Sequence, residues 1–297
     1  MSKSKFVVVI LVSTLFAGSA MAFNNRSAVS VNGLDTNPCT VASPCRSFGA
    51  ALAVTAISGE VVALDSAGYG PFTINQNVSV SGAPGVHAAI TVTSGDGIDI
   101  TGGSDVFISN LVILGTGGGV NGIRNTGCLF VHIQNCFIEG FSGSGILDSG
   151  LYVLRLMVDH TTVDVCDIGV NFDGGSGAVD NSTINSCTTA GVRVSNHASA
   201  IVSITIVTST MFRWNQIGVD VAADGATLVA GAKVEHCSFN ANLYGVQATG
   251  SNGGLALVFL IGNVIDATNG VGTYTMYSTG DNFIGFSGTT LSPWPLQ

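Results

Sequence analysis

A short phrase, glycine followed by a branched aliphatic residue, recurs along most of the chain and constrains its fold more than any other feature. The phrase begins at Gly97, Gly122, Gly145, Gly169, Gly191, Gly218, Gly245 and Gly270, at intervals of 22 to 27 residues. Self-similarity with a period of about 20 to 50 residues is typical of proteins built from stacked repeats. The chain is therefore expected to form a solenoid rather than a layered globular domain.

The residues within each repeat indicate strands. Apolar residues alternate with polar ones or form short β-branched runs, as at 106–108 and 255–259, and clusters of Gly, Asn, Asp, Ser and Thr separate them. Leucine-rich repeats need a regular Leu spacing and propellers need longer units, so neither architecture fits. We predict an all-β chain, a single-stranded right-handed parallel β-helix of about eight coils, with equivalent positions stacked about 4.8 Å apart.

The repeat also predicts which side chains face outward. The aliphatic residue directly after each glycine should point into the core, and the residue after that should point out. The outward row is expected to contain Asp99, Arg124, Leu147, Asn171, Arg193, Asp220 and Gln247.

The N-terminal residues predict export. Lys3 and Lys5 precede an apolar run at 6–17 and a small-residue site at 20–22, which together are typical of a signal peptide covering 1–22. The run is too short for a membrane span. A cap is expected at 23–60, with a short helix whose N-cap and first residue are Ser43 and Pro44. The β-helix should cover 61–287, followed by a tail at 288–297, and the protein is expected to be secreted or periplasmic.

Charge excludes one class of partner. Without Lys3 and Lys5, 7 basic residues remain against 18 acidic ones, a net charge of −11. Nucleic-acid binding depends largely on neutralising phosphates with Lys and Arg, so such a chain is expected to repel DNA and RNA.

Several segments resemble the opening of secreted bacterial β-helix proteins of the pectin-lyase-like superfamily. They include Cys45, Ala51-Leu52, Gly59-Glu60-Val61, Gly68-Tyr69 and the run at 74–80. The resemblance extends over most of residues 27–287 and implies the fold. It does not imply one activity, because lyases, hydrolases, esterases, epimerases and adhesins share that fold.

The motifs of the pectin-active enzymes are missing from this sequence. The hydrolases' Asp-Asp pair, Asn-Thr-Asp triplet and Gly-His-Gly do not occur, and neither do the esterases' Gln-Asp-Thr phrase and Asp-Phe pair. Glycoside hydrolysis normally needs two facing carboxyl groups. No cofactor is expected, and calcium would be needed only by a lyase.

One candidate site lies around the outward row and comprises Asn171, Arg193, Arg213, Trp214, Asp220 and Tyr244. An aromatic ring beside Arg, Asp and Asn side chains can hold a sugar by stacking and hydrogen bonding. This hypothesis requires Trp214 to be exposed. The alternative is that Asp99 with Arg124, and Arg193 with Asp220, are merely ion pairs between neighbouring coils.

A second candidate is the acid and histidine run of Asp159, His160, Asp164 and Asp167, for which general acid–base chemistry is conceivable. His160 lies nine residues before its repeat glycine, as does His236. The repetition favours a role in turns.

Seven cysteines in an exported chain suggest disulfides. Cys39 and Cys45 are expected to close an N-terminal loop. Cys166 and Cys187 should stack in neighbouring coils, either as a second disulfide or as part of a row of buried thiols. Cys128, Cys136 and Cys237 are expected to fill the core, and no spacing indicates a zinc site.

Three functions stay open at this point. The first is binding of an extracellular glycan or surface polymer by a monomer. The second is an enzyme that degrades or modifies a polysaccharide, and the third is a structural or adhesive surface protein.

Overall fold

The chain forms a right-handed parallel β-helix. The computed structural model describes residues 23–149, 155–196, 202–225, 228–287 and 291–293, so the predicted signal peptide and most of the predicted tail lie outside the described residues. Within the described part, eight complete turns of three strands span residues 55–251, and partial turns follow. The fold predicted from the glycine repeat is confirmed.

Each turn contributes one strand to each of three faces, named face 1, face 2 and face 3 in chain order. Face 1 consists of Asn24–Val29, Thr55–Ala63, Val78–Gly82, Asp105–Ser109, Phe130–Gln134, Arg155–Asp159, Ser176–Asp180, Val202–Thr208, Val229–Glu235, Leu255–Ile261, Tyr274–Ser278 and Ser292–Pro293. Face 2 consists of Ala67–Gly68, Ala88–Val92, Leu111–Gly115, Phe137–Glu139, Thr162–Asp164, Thr183–Asn185, Met211–Arg213, Ser238–Asn240 and Phe283–Ser287. Face 3 consists of Phe72–Ile74, Ile98–Ile100, Ile123–Asn125, Ser144–Asp148, Ile168–Asp173, Ala190–Asn196, Ile217–Asp224 and Tyr244–Ser251.

The strand Val264–Gly272 begins on face 2, where Val264 pairs with Ser238, and continues on face 3, where Thr268 pairs with Val246. It thereby joins faces 2 and 3 into one sheet.

The core consists of stacked apolar rows. The aliphatic residues that follow the repeat glycines are fully buried from Ile98 to Val246, and the rings of Phe212 and Phe239 stack with centroids 4.8 Å apart. A second inward row, which includes the apolar Ile100 and Phe172, also contains two buried polar side chains. Asn125 and Asp148 lie in register between Ile100 and Phe172.

Two tight corners separate the faces, and each uses left-handed backbone. Corner 1, between faces 1 and 2, has positive φ at Asn110, Asn135, His160, Asn181, Ser209, His236 and Gly262. Corner 2, between faces 2 and 3, has positive φ at Gly140, Val165, Ser186, Trp214 and Ala241. Asn and Gly tolerate this conformation best. The shared corner position of His160 and His236 agrees with the expectation that both serve turns.

At the corners, inward polar side chains form hydrogen bonds from one turn to the next along the solenoid axis. At corner 2, Asn215 Oδ1 accepts a hydrogen bond from the Cys187 amide at 2.9 Å, and Asn242 Oδ1 accepts one from the Asn215 amide at 3.0 Å. The same side chains donate to the carbonyls of Ile184 and Phe212. Buried backbone groups that the strands leave unpaired are thereby satisfied.

The N-terminal helix lies over the first turn, but it starts later than expected. It runs over Phe48–Val54 with Ser47 as its N-cap, so the predicted Ser43-Pro44 cap is wrong. Ser43 forms a bridge with Thr40 instead, and Asp35 accepts hydrogen bonds from the Ser47 amide and hydroxyl. Phe48 then packs into the end of the core.

The cysteines divide into one disulfide and five thiols. Cys39 and Cys45 are bonded, as expected. Cys166 and Cys187 are both reduced and buried, so the thiol-row alternative is the one observed, and Cys128, Cys136 and Cys237 are buried thiols as well.

Candidate functional site

The outward row predicted from the repeat exists on face 3. Asp99, Arg124, Leu147, Asn171, Arg193, Asp220 and Gln247 stack in register, and Asn269 extends the row. The row is a consequence of parallel stacking, because each outward position lies directly beside its equivalent in the next turn.

The centre of this row is a polar chain around Asp220. Arg193 Nε lies 3.5 Å from Asp220 Oδ2, Gln247 donates to Asp220 Oδ1 at 3.4 Å, and Asn269 donates to Gln247 at 2.8 Å. Burial raises the pKa of the Asp220 carboxyl, while the charge of Arg193 opposes that rise. The ion pair expected between Arg193 and Asp220 is therefore present.

In the other expected pair, Asp99 with Arg124, the arginine lies closer to a different carboxylate. Arg124 Nη1 lies 2.9 Å from Asp96 Oδ2 but 3.8 Å from Asp99 Oδ1. The hydrogen bond from Arg124 to Asp96 raises the pKa of the arginine.

A small depression adjoins the ion pair. It has a volume of about 160 Å³ and is lined by Asn171, Asp173, Arg193 and Ser195. The Ser195 hydroxyl donates to Asp173 at 3.2 Å, while Asn171 Oδ1 and Arg193 Nε are buried and have no hydrogen-bond partner among the described residues.

Trp214 lies at corner 2 and is exposed. Its φ is 54°, 61% of the residue is accessible, and the Arg213 guanidinium lies 4.6 Å from the ring centroid. This is within the distance of a cation–π contact. The condition set for the glycan hypothesis, an exposed Trp214, is met.

The first candidate set falls into two groups. Asn171, Arg193 and Asp220 share face 3, whereas Arg213 ends a face 2 strand and Trp214 occupies the corner that follows it. Tyr244 begins the next face 3 strand, in register with Ile217. Of this candidate set, Asn171 and Arg193 line the depression.

The second candidate set does not share one surface. Asp159 ends a face 1 strand, His160 is at corner 1 and Asp164 ends a face 2 strand. His160 Nδ1 lies 2.7 Å from Asp159 Oδ1, and Gln134 donates to the other oxygen at 3.1 Å. Burial would raise the pKa of Asp159, but these hydrogen bonds outweigh it and lower the pKa below its ordinary value. Asp159 is therefore an ionised partner of His160 near neutral pH rather than a proton donor.

Asp167 serves the fold directly. Its Oδ1 accepts hydrogen bonds from the hydroxyls of Thr188 and Thr189 in the next turn, at 2.7 and 2.6 Å. Among the described residues, no group of three or more His, Cys, Asp or Glu side chains is placed to hold a metal ion.

A larger concave surface on face 1 escaped the sequence analysis. It encloses about 500 Å³ and is lined by outward residues of four consecutive turns, including Phe107, Phe130, His132, Arg155 and Met157. The alternation of inward and outward residues along each strand could have revealed its outward side chains. In Asp105–Ser109, for example, Val106 and Ile108 face the core, so Phe107 must face out.

No helix in the described part of the chain is long and apolar enough to cross a membrane.

Comparisons with known proteins bear on the fold. No protein-family model matches the sequence, and a search of curated proteins finds no match. Among solved structures, the chain is similar to pectate lyase Pel9A, with a TM-score of 0.65, 12% identity, and coverage of 91% of this chain and 80% of the lyase.

Two other solved structures have lower scores. The tailspike protein 2 domain of bacteriophage CBA120 gives a TM-score of 0.43 at 12% identity, with coverage of 87% of this chain and 52% of the tailspike. The A-module of the Azotobacter vinelandii mannuronan C-5 epimerase AlgE4 gives 0.35 at 12% identity, with coverage of 81% and 89%. The similarity to Pel9A shows that the chain has a parallel β-helix fold, as its repeats predict.

Proposed function

We propose that the protein is an exported monomer that binds an extended extracellular glycan without cleaving it, using Trp214 and the polar row on face 3. The observation that carries this proposal is the exposed indole of Trp214 with the Arg213 guanidinium against it. Aromatic rings with adjacent hydrogen-bond donors provide both the apolar surface and the polar contacts that a sugar ring needs.

The face 3 row supplies further polar groups along the solenoid axis. Gln247 and Asn269 lie one turn spacing apart, about 4.8 Å, and Arg193 lies two spacings, about 9.6 Å, before Gln247, so the three present donors and acceptors at multiples of the turn spacing. A ligand that meets such a row must itself repeat its polar groups, which an extended polymer does.

The row is poorly suited to hydrolysis, which supports binding over catalysis. Glycosidases place two carboxyl groups about 5 to 9.5 Å apart. The row's two aspartates, Asp99 and Asp220, are separated by five turn spacings, about 24 Å. Asp220 is also nearly buried and engaged by Arg193.

The test is a polymer retention assay coupled to a depolymerisation screen. Residues 23–297 are incubated with pectate, alginate, hyaluronan, xylan and peptidoglycan, with and without calcium. Retention is measured by pull-down, and cleavage by new reducing ends and the absorbance of unsaturated products. We expect retention on at least one polymer without product.

Two corner variants locate the binding surface. Trp214→Asn removes the indole and puts a residue that tolerates positive φ at the corner, so the fold should persist. Val165→Asn is the matched control, because Val165 is an exposed residue with positive φ at the same corner two turns earlier. Retention should fall about tenfold in Trp214→Asn, as expected for a lost stacking contact of about 1.4 kcal/mol, and stay unchanged in Val165→Asn.

Other outcomes would favour the alternatives. Product from any polymer would identify a polysaccharide-active enzyme. Neither product nor retention, with the protein held at the cell surface, would favour the structural or adhesive role.

A further inference from the structure

The groove on face 1 is formed by two parallel rows of outward side chains. The first row contains Asp105, Phe130, Arg155 and Ser176, and the second contains Phe107, His132, Met157 and Ala178. Three steps between turns give it a length of about 14 Å. Its volume of about 500 Å³ lies in the range of roughly 300 to 1,000 Å³ that is typical of small-molecule sites.

The shape of the groove follows from side-chain size. Arg155 and Met157 are long, while Ser176 and Ala178, their neighbours in the next turn, are short. The surface is therefore recessed at Ser176 and Ala178, in the last of the four turns that line the groove, and the longer side chains of the preceding turn border it.

The apolar lining is exposed beyond what a sheet surface requires. Phe107, Phe130 and Met157 are 51%, 45% and 52% accessible. Large apolar groups that are grouped together on a soluble surface usually mark a binding site. The rings of Phe107 and His132 also contact one another, with centroids 5.7 Å apart and planes tilted by 57°, so two adjacent rings line this row of the groove.

One cation stands in this apolar surface. The Arg155 guanidinium lies 5.6 Å from the centroid of the Phe130 ring. Of the seven basic side chains in the described residues, Arg26, Arg124, Arg193 and Lys233 pair with carboxylates, whereas Arg155 does not. In a chain with a net charge of −9, an accessible cation without a carboxylate partner is a local site at which an anion is favoured.

We propose that this groove binds a small organic anion with a flat apolar body. The carboxylate of the ligand pairs with Arg155, which can form two parallel hydrogen bonds to it. The apolar body lies against Phe107, Phe130 and Met157, and Ser176 offers a hydrogen bond at the low end. Asp105 stands at the opposite end of its row, two turns from Arg155, and repels the carboxylate there, so the ligand has one orientation.

The probe for the test is 2-naphthoate, a flat aromatic carboxylate, and its neutral amide is the matched ligand control. Titration is followed by naphthalene fluorescence and by isothermal calorimetry on residues 23–297. We expect saturable binding of one 2-naphthoate per chain with a Kd below about 1 mM, and binding of the amide at least about tenfold weaker.

Three variants separate the groove from other surfaces. Arg155→Gln should weaken 2-naphthoate binding at least about tenfold and remove the preference for the acid over the amide. Phe107→Ser, at an exposed position, should weaken both ligands. Arg213→Gln is the control, because Arg213 also contacts an aromatic ring but lies outside the groove, and it should leave binding unchanged.

The proposal is overturned if 2-naphthoate does not bind, if acid and amide bind equally, or if Arg213→Gln weakens binding as much as Arg155→Gln does. Polymer retention does not depend on this groove, so Arg155→Gln should retain polymer as the unchanged chain does. The two proposals can thus fail separately.

Discussion

The buried carboxyl of Asp148 should make the protein less stable as the pH rises, which is the reverse of the usual effect of a carboxyl group. Asp148 is fully buried in the inward row of face 3, between Asn125 and Phe172. Its Oδ1 accepts one hydrogen bond, from Asn125 at 2.8 Å, and its Oδ2 is buried beside Gly175 with no partner in the described part of the chain.

The direction of the effect follows from the pKa of the group. Burial raises the pKa of Asp148 from 3.8 to about 7, although the hydrogen bond from Asn125 opposes the rise. Between these two values the folded protein holds a proton that the unfolded chain has released. The free energy of unfolding therefore falls as the pH rises through this window.

The size of the effect is large for one side chain. A difference of about 3 pH units at 1.36 kcal/mol per unit corresponds to about 4 kcal/mol, a large share of the 5 to 15 kcal/mol that stabilises a typical domain. Other carboxyl groups act in the opposite direction, since hydrogen bonds lower the pKa of Asp35 and Asp65 despite partial burial. The effect of Asp148 must therefore be isolated by comparison with a variant.

The variant is Asp148→Asn, which keeps an oxygen for the Asn125 hydrogen bond and cannot ionise. Urea unfolding followed by far-UV circular dichroism gives the free energy of unfolding from pH 4 to pH 8. The stability of Asp148→Asn relative to the unchanged protein should grow by about 4 kcal/mol over this range. Asp220→Asn is the control and should show a smaller change, because Arg193 compensates the Asp220 charge. A stability difference that stays constant with pH would refute the reasoning.

Three further predictions concern stability and reactivity. Asn242→Ala should lower the free energy of unfolding by about 3 kcal/mol in urea denaturation, because it leaves the buried Asn215 amide without an acceptor; an unchanged midpoint would contradict the proposed role of the corner asparagines. Cys39→Ser should lower the free energy of unfolding by about 2 kcal/mol in the same assay, since the disulfide with Cys45 closes only a short loop. The unchanged protein with its disulfide reduced is the control and should lose the same amount of stability. The five buried thiols should react with iodoacetamide only after unfolding, because burial raises the pKa of each; labelling of the native protein at neutral pH, detected by mass spectrometry, would show that the core opens.

The repeat predicted the positions that depend on stacking, because a parallel solenoid places equivalent residues side by side whatever they are. The outward row from Asp99 to Gln247 follows from the glycine spacing alone. The helix start did not follow from its local pattern. Ser43-Pro44 has the chemistry of a helix start, but Asp35, 12 residues before Ser47, holds the chain so that the helix begins at Phe48. Contacts of this kind are tertiary, and a local pattern does not contain them.

The face 1 groove and Asp148 show a second limit of the repeat. Alternation predicts that Phe107 faces outward, but the groove also needs the small side chains of Ser176 and Ala178, both three turns further along. Asp148 occupies an inward position that an apolar side chain, Phe172, fills in the next turn. In both cases the feature of interest, a concave surface or a buried carboxyl group, comes from residues that depart from the repeat.

The corner that holds Trp214 illustrates how function can be separated from turn geometry. Positive φ costs a bulky residue about 1 kcal/mol or more, yet Val165 has the same conformation at the same corner. Backbone strain therefore does not single out Trp214. Its distinguishing feature is an exposed indole in contact with the half-buried Arg213 guanidinium, a contact that adds only about 0.5 to 1 kcal/mol to stability where the ring remains in water. If Trp214→Asn leaves the fold at least as stable as before and abolishes polymer retention, the indole is present for binding; if stability falls instead, its contact with Arg213 belongs to the fold.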